Sequence, residues 1–533
     1  MTPEREYRSV DALLTEHARR RGAKVYAESI AQRASLTFAE LDAATNRVAH
    51  FLADRDLRAN QRVTLLSDNS LEFLVLFFGV QRYGATVNPI NIEVNAKNVA
   101  QMLSDVEPAL VLWSQAIPEE LRAVVARSGY EAIPFGDLGA DDFWHALSSY
   151  STTPCQRRVG NADAIGLINY TSGTTAKPKG VCISHEAFFY QCRSPAESLG
   201  LTENDRVLEY RAMSWASPQL LSVGATLQAG ATLVFAPRFS QSRFFDWIRD
   251  YEITISAGVP TAISMLIDRP SVPSREAIRT LKFITSSSAP LPVARQQEFE
   301  RHYSIPIVQA CGMTEAGFMA GNPPDACRLG SIGVAMPHIR ATFVDESGTE
   351  CAPGQQGELV VSGPQMARAY LVDRGALTEI PQDGFRTGDI GYQDADGYLY
   401  LTGRKKDLII KGGVNIAPME ITSVLLAHPA VGEAATIGVP DEIYGEAIVS
   451  FVAAHAGQSV TTEELMAHCR ARLSPFKLPG QIILLEALPM VERGKVSRQQ
   501  LLDIWLDRQR AEAQAGAQAP PQSQRVDGRT GGT

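Results

Sequence analysis

The chain has 533 residues, of which 45% are hydrophobic and 20% charged, with a formal net charge of -9. That is enough apolar material for a large core, and too long a chain for one, since single cores stop growing near ~250–300 residues. The acidic balance and the lack of any block of like charge argue against a nucleic-acid partner. The seven cysteines are widely spaced and form no CxxC, which disfavours a disulfide framework or a zinc site and points to a reducing, cytoplasmic compartment. The N-terminus "MTPEREYRSVDALL" lacks the apolar core of a signal peptide.

In chain order, "RVTLLSD" reads as a strand, and "LEFLVLFFGV" from Leu71 as a buried helix too short to cross a bilayer. "AIGLINYT" reads as a strand running into a loop, and "ATLVFAP", "ITISAGVP", "LKFITSS" and "IPIVQACG" follow as further β-rich runs separated by helical patterns. Near-continuous Val/Ile/Leu runs alternating with helices predict parallel strands covered on both faces, hence α/β layers to about Leu329. From Gly330 the pattern changes to short strands with Gly and Asp turns ("IRATFVDESG", "GQQGELVVSG", "DGYLYLTG"), as in a small β-barrel. After "TGRKKDLII" a helix, "APMEITSVLLAH", opens a compact α+β region. The expected division is an N-terminal domain over 1–405, its barrel part about 330–405, a small mobile C-terminal domain over 406–508 and a disordered tail over 509–533.

The loop "YTSGTTAKPKG" (Tyr170 to Gly180) is the strongest chemical signal. Hydroxyls of Thr171, Ser172, Thr174 and Thr175, with backbone N–H groups freed by Gly173, make a concave set of donors suited to phosphate oxygens, and Lys179 adds a point charge. It is not the GxxxxGK[ST] pattern, and a flexible Ser/Thr/Gly linker would share its composition.

This loop resembles the phosphate-binding signature of the adenylate-forming superfamily, which includes acyl-CoA synthetases, and the resemblance continues in order along nearly the whole chain. "ACGMTEAG" is similar to the adenine and magnesium segment: the resemblance implies that Glu315 faces Mg2+, Thr314 the phosphates, and Cys311, Gly312 and Met313 the nucleotide. Cys311 stands where the family commonly has an adenine-stacking aromatic residue. "TSSSAPLP" resembles a segment usually written with two glycines before Ala-Pro; Ser287 and Ser288 hold those places, so Ser288, Ala289 and Pro290 would line adenine and Ser287 the acid pocket. Asp389 in "FRTGDIG" would accept from the ribose hydroxyls, and Arg404 in "TGRKKDLIIKGG" would contact ribose or phosphate. Lys406, two residues on, falls at the family's domain hinge. Gly412 and Gly413 match a pair that lets a pantetheine arm pass. Lys495 in "LPMVERGKVSRQQL" matches the lysine that bridges carboxylate and α-phosphate.

The resemblance implies a two-step ligase with ATP and CoA as cosubstrates and Mg2+ as cofactor. A carboxylate attacks the α-phosphate, releasing pyrophosphate; a thiol then takes the acyl group, releasing AMP. Ser214 and Trp215 in "YRAMSWASPQLL" stand where many relatives carry an aromatic-His pair at the acid pocket. Arg211 reads either as a counter-charge for a second carboxylate or, more simply, as a surface arginine. Trp215, Ser287 and Ser288 together predict a modest, partly polar acid. His185 reads as packing at a helix start. A stand-alone adenylation enzyme serving a carrier protein, a light-emitting oxygenase and a non-catalytic nucleotide-binding protein remain as other readings. No integral membrane association is expected, and the sequence is compatible with a homodimer without specifying one.

Overall fold

A computed structural model describes residues 6–139, 141–171, 178–268, 273–455, 457–491 and 495–517. The chain divides into two compact units, Met1–Thr402 and Gly403–Thr533.

The first unit holds two large sheets. One has eight strands in the order Ala376–Glu379, Ala369–Asp373, Lys179–Ser184, Ile165–Thr171, Thr86–Ile90, Arg62–Leu66, Leu110–Ser114, Ala132–Phe135. Its last five run parallel; the first three are added antiparallel. The other has nine strands, and its centre is parallel: Ile307–Met313, Phe283–Ser286, Ile255–Ser256, Arg206–Glu209, Thr232–Phe235, Val25–Ser29.

Two helices touch strands of both sheets. The first, Leu71–Tyr83, is the expected buried helix, and every one of its residues is buried. Ser70 caps it, accepting from the Phe73 N–H at 3.1 Å, and Gly84 ends it at φ 96°, a left-handed stop that glycine adopts without cost. Its Gly79 lies so close to the helix Phe38–Asp54 that a Cβ there would meet Val48 at 2.6 Å. The second, His185–Ser198, follows the strand Lys179–Ser184 and is capped by Ser184. His185 is packed as expected: its ring lies where a Cβ on Gly166 would fall, and burial pushes its pKa down against the opposing bond to the Gly84 carbonyl.

The β-rich region after Gly330 resolves into a four-stranded antiparallel sheet, Arg340–Val344, Gly357–Ser362, Phe385–Gln393, Leu399–Arg404. The path is linear, not a closed barrel, because the intervening hairpin Ala369–Glu379 is recruited by the eight-stranded sheet.

The second unit is an α+β fold. Its long hairpin Val431–Asp441/Gly445–Ala454 is extended by a parallel strand, Gln481–Leu485, and flanked by the helices Pro418–Leu426 and Thr462–Arg470. The final helix runs from Arg498 to Ala517, so the first part of the tail expected as disordered is helical. Ala, Gln, Glu and Arg, which make up most of it, are strong helix formers. No described helix is long and apolar enough to cross a membrane.

Candidate active site

The phosphate-loop motif occupies a hairpin. Ile165–Thr171 and Lys179–Ser184 pair antiparallel with Thr171 opposite Lys179 and Tyr170 opposite Gly180. A second strand, not a helix, follows the loop directly. Ser172, Gly173, Thr174 and Thr175 lie outside the described residues. Lys179 is exposed, and its ammonium lies over the Tyr370 ring, 5.6 Å from the centroid.

Tyr370 links this hairpin to the other sheet. It sits on the strand Ala369–Asp373, which pairs with Lys179–Ser184. Its hydroxyl donates to Glu315 Oε1 at 2.9 Å, and the Ala367 N–H donates to the Glu315 carbonyl at 2.7 Å. Thr314 and Glu315 form the turn between Ile307–Met313 and Gly317–Gly321, a β-hairpin rather than a helix start. Burial, then the Glu315 charge, hold the Tyr370 phenol well above its ordinary pKa of 10.0, so it stays a donor at neutral pH. Sequence reasoning did not find Tyr370: an aromatic in "ARAYLVD" carries no local signal of a partner 55 residues away.

The strands Arg206–Glu209, Phe283–Ser286 and Ile307–Met313 run parallel in one sheet, so the segments leaving their carboxyl ends share one edge, where α/β sheets place ligands. These segments carry Arg211, Ser214 and Trp215; Ser287, Ser288, Ala289 and Pro290; and Thr314 and Glu315, with Met313 closing the last strand. Cys311 and Gly312 lie within the last strand, Cys311 partly buried. Ser288 is exposed with φ 74°: it keeps the left-handed backbone that glycine usually supplies, at a steric cost a glycine would not bear. Ser287 is buried, 2% exposed.

The segment from Arg211 is held by Asn69, whose amide donates to the Arg211 carbonyl at 2.8 Å and accepts from the Met213 N–H at 2.7 Å. Ser214 is buried. Trp215 is half-buried against the cluster containing Ile90 and Tyr170. A π-helical stretch, Gln219–Gly224, follows; such turns often mark functional sites. The surface reading of Arg211 is corrected. Its side chain is 10% exposed and forms a fork with the fully buried Glu209, Nη2 to Oε2 at 2.6 Å and Nε to Oε1 at 2.9 Å. With its charge already matched, it is not a spare cation.

Asp389 lies in Phe385–Gln393, 5% exposed, its N–H donating to Thr387 Oγ1 at 3.1 Å. Arg404 is exposed and extended, and Lys406 follows it in a single 3-10 turn, Lys405–Asp407. Gly412 and Gly413 form a two-residue turn between Ile409–Lys411 and Val414–Ile416. Their φ values of 57° and 80° are the paired left-handed conformations of a tight hairpin, so the turn alone accounts for both glycines. Lys495 begins a short strand and pairs with Val491.

No group of three or more His, Cys, Asp or Glu side chains that could hold a metal occurs among the described residues. One carboxylate at Glu315 fits Mg2+ in a site where substrate phosphates and water supply most ligands; it does not fit a metal held by protein alone.

Two family models match the chain: AMP-binding enzyme over residues 14–371, and AMP-binding enzyme C-terminal domain over residues 420–495. The chain is 34% identical over 476 residues to the indoleacetate–CoA ligase of Aromatoleum aromaticum, covering 87% of this chain and 92% of that one. It is 32% identical over 491 residues to the oxalate–CoA ligase of Arabidopsis thaliana, covering 90% and 95%. Among solved structures, ATP-bound MatB from Rhodopseudomonas palustris superposes with a TM-score of 0.85 at 28% identity, covering 94% of this chain and 99% of that one. Both domains of one enzyme architecture are thus present in order over nearly the whole length, and the chain belongs to the AMP-binding enzyme family, in its carboxylate–CoA ligase branch, as an AMP-forming acid–thiol ligase that uses ATP and CoA.

Proposed function

We propose that the chain activates a short, partly polar carboxylic acid, and that the residues singled out above divide the work as follows. Thr171, Ser172, Gly173, Thr174, Thr175 and Lys179 hold the β- and γ-phosphates. Ser288, Ala289, Pro290, Cys311, Gly312 and Met313 line the adenine, while Asp389 and Arg404 hold the ribose. Thr314 and Glu315 meet the phosphates, and Glu315 holds Mg2+, which when bound neutralises phosphate charge. Trp215, Ser214 and Ser287 wall the acid.

Adenylation brings an anionic carboxylate onto an anionic α-phosphate. Little covalent chemistry is left to the protein, so positioning and charge stabilisation carry the rate. Lys495 supplies an ammonium between the two anions; the carboxylate oxygen bonds to phosphorus and pyrophosphate leaves. For the second step the chain rotates at Lys406, a thiol passes Gly412 and Gly413, its sulfur bonds to the acyl carbon, and AMP leaves.

The observation that supports this reading most directly is the shared use of Tyr370. Lys179 and Glu315 come from different sheets, yet the ammonium of one and the carboxylate of the other both contact that residue. A cation and a hard oxygen ligand gathered in this way match the two ends of a magnesium-bound triphosphate. Oxalate and indoleacetate ligases among the relatives bracket acids of very different size. Ser287 and Ser288, where glycines are usual, favour the smaller, more polar end.

The test is pyrophosphate release with ATP and Mg2+ across a panel of carboxylic acids, with and without CoA. Release with short polar acids, and thioester on adding CoA, is the expected result. A preference for long alkyl or bulky aromatic acids would overturn the assigned substrate class. Acid-dependent pyrophosphate without thioester would move the acceptor from CoA to a carrier protein.

A further inference from the structure

The segment after Arg206–Glu209 carries a buried charge pair that neither half-reaction uses. Glu209 is fully buried. Its Oε1 accepts from the N–H groups of Tyr210 and Arg211, at 3.0 and 2.8 Å, and from Arg211 Nε at 2.9 Å. Its Oε2 accepts from Arg211 Nη2 and the Ser222 hydroxyl, both at 2.6 Å. Five donors surround the carboxylate, and its fork with Arg211 makes a closely matched ion pair.

One guanidinium nitrogen remains. Arg211 Nη1 donates to Ser217 Oγ at 2.9 Å and to Ser287 Oγ at 3.3 Å, and the two hydroxyl oxygens lie 3.4 Å apart. These serines come from segments leaving neighbouring parts of the same sheet edge. Guanidinium has five N–H donors and no acceptor, so both serine oxygens are already used as acceptors. One hydroxyl proton can bridge the pair. The other finds no acceptor among the described residues; Ser287 is almost fully buried and Ser217 half-buried. The cluster is therefore biased to donate.

We propose that Ser217 and Ser287, polarised by Arg211, are the specificity-determining contact for the distal end of the acid, donating to an oxygen acceptor there. A carbonyl, ether or carboxylate oxygen fits. A hydrocarbon of the same shape does not, because it shuts water away from that donor without offering an acceptor. Arg211 and Glu209 act as positioning residues. Since their charges cancel, the acceptor need not be an anion. This rests on the reading of the segment as the acid pocket.

The experiment uses acids in matched pairs: 4-oxopentanoate against 4-methylpentanoate, and 3-methoxypropanoate against pentanoate. kcat and KM are measured for each with the full-length enzyme. The wild type is expected to favour the oxygen-bearing member by about tenfold or more in kcat/KM. In the Ser217→Ala/Ser287→Ala double variant that preference should vanish while the KM for ATP stays put. Arg211→Lys should keep part of it; Arg211→Met strands the Glu209 charge, so Glu209→Gln/Arg211→Met is made beside it and should lose the preference. Absence of the preference in the wild type, its survival in the double serine variant, or no turnover of either oxygen-bearing acid would overturn the proposal. A double serine variant that raises the KM for ATP but leaves the acids alone would instead remove the pocket assignment itself.

Discussion

Tyr370 donates its hydroxyl proton to Glu315 across two sheets, 2.9 Å from Oε1. A hydrogen bond to a charged group contributes about 1.5–3 kcal/mol, and ~1.4 kcal/mol is tenfold in rate. Tyr370→Phe is expected to slow adenylation roughly tenfold and to raise the Mg2+ concentration needed for half-maximal pyrophosphate release. Magnesium titrations of single-turnover release check this. An unchanged midpoint would separate Tyr370 from metal binding.

Lys495→Ala should abolish acid-dependent pyrophosphate release while leaving ATP binding largely intact, because the ammonium is needed only when two anions approach each other. Titration calorimetry with ATP and a pyrophosphate assay read the two properties separately. Surviving turnover would remove Lys495 from the mechanism.

Gly413 has φ 80° and no atom within 4 Å of where a Cβ would stand. Gly413→Ala therefore costs the second unit only backbone strain, about 1–2 kcal/mol. The thioester step should slow, with adenylation unaffected. Pre-formed adenylate mixed with CoA, followed by rapid quench, measures the step alone. If both steps slowed equally, the turn would serve the unit's fold rather than thiol passage.

The Arg82 side chain is 1% exposed and binds Asp11 at 2.9 Å and Asp42 at 2.8 Å, with further bonds to Thr15 and Thr45. Removing one partner of a buried ion pair typically costs about 3–5 kcal/mol. Arg82→Met should lower the apparent melting temperature of the first unit by several degrees. Scanning fluorimetry at fixed rate is the check.

Burial also holds the pKa of His17 and His185 below the ordinary 6.5. Both are neutral in the native state, and the unfolded chain binds their protons more readily. Their contribution is complete above pH 6.5 and is lost as pH falls below it. Thermal scans from pH 7.5 to 5.5 should show a falling midpoint, and His185→Gln should flatten the fall. Identical slopes would mean that His185 protonation is not what is being lost.

Much of this was legible in the sequence, and for identifiable reasons. The runs read as strands from Arg62, Ala164, Ala231, Leu281 and Ile305 contain Arg62–Leu66, Ile165–Thr171, Thr232–Phe235, Phe283–Ser286 and Ile307–Met313. Their continuous branched residues signal strands buried on both faces. The sheet to which each belongs was not legible, because periodicity reports neighbours along the chain and not across it. Arg211 was misread for a related reason. Glu209 and Arg211 are two apart, the spacing that puts side chains on one face of an extended segment, and a carboxylate at the end of an apolar strand was the available signal. The Ala369–Glu379 hairpin looked like barrel material because its pattern fits any antiparallel edge; only its pairing with Lys179–Ser184 decides where it goes.

The helix Leu71–Tyr83 has no residue facing solvent and bears on strands of both large sheets. It acts as a shared beam. The hairpin that ends at Thr171 and Lys179 belongs to a sheet resting on one side of it, and the strand Val25–Ser29 of the other sheet rests against it too. A beam packed on all sides has little compliance, and Gly79, already at its closest approach to Val48, leaves none for a larger residue. The first unit is therefore built as an anvil, with this helix as its least yielding part.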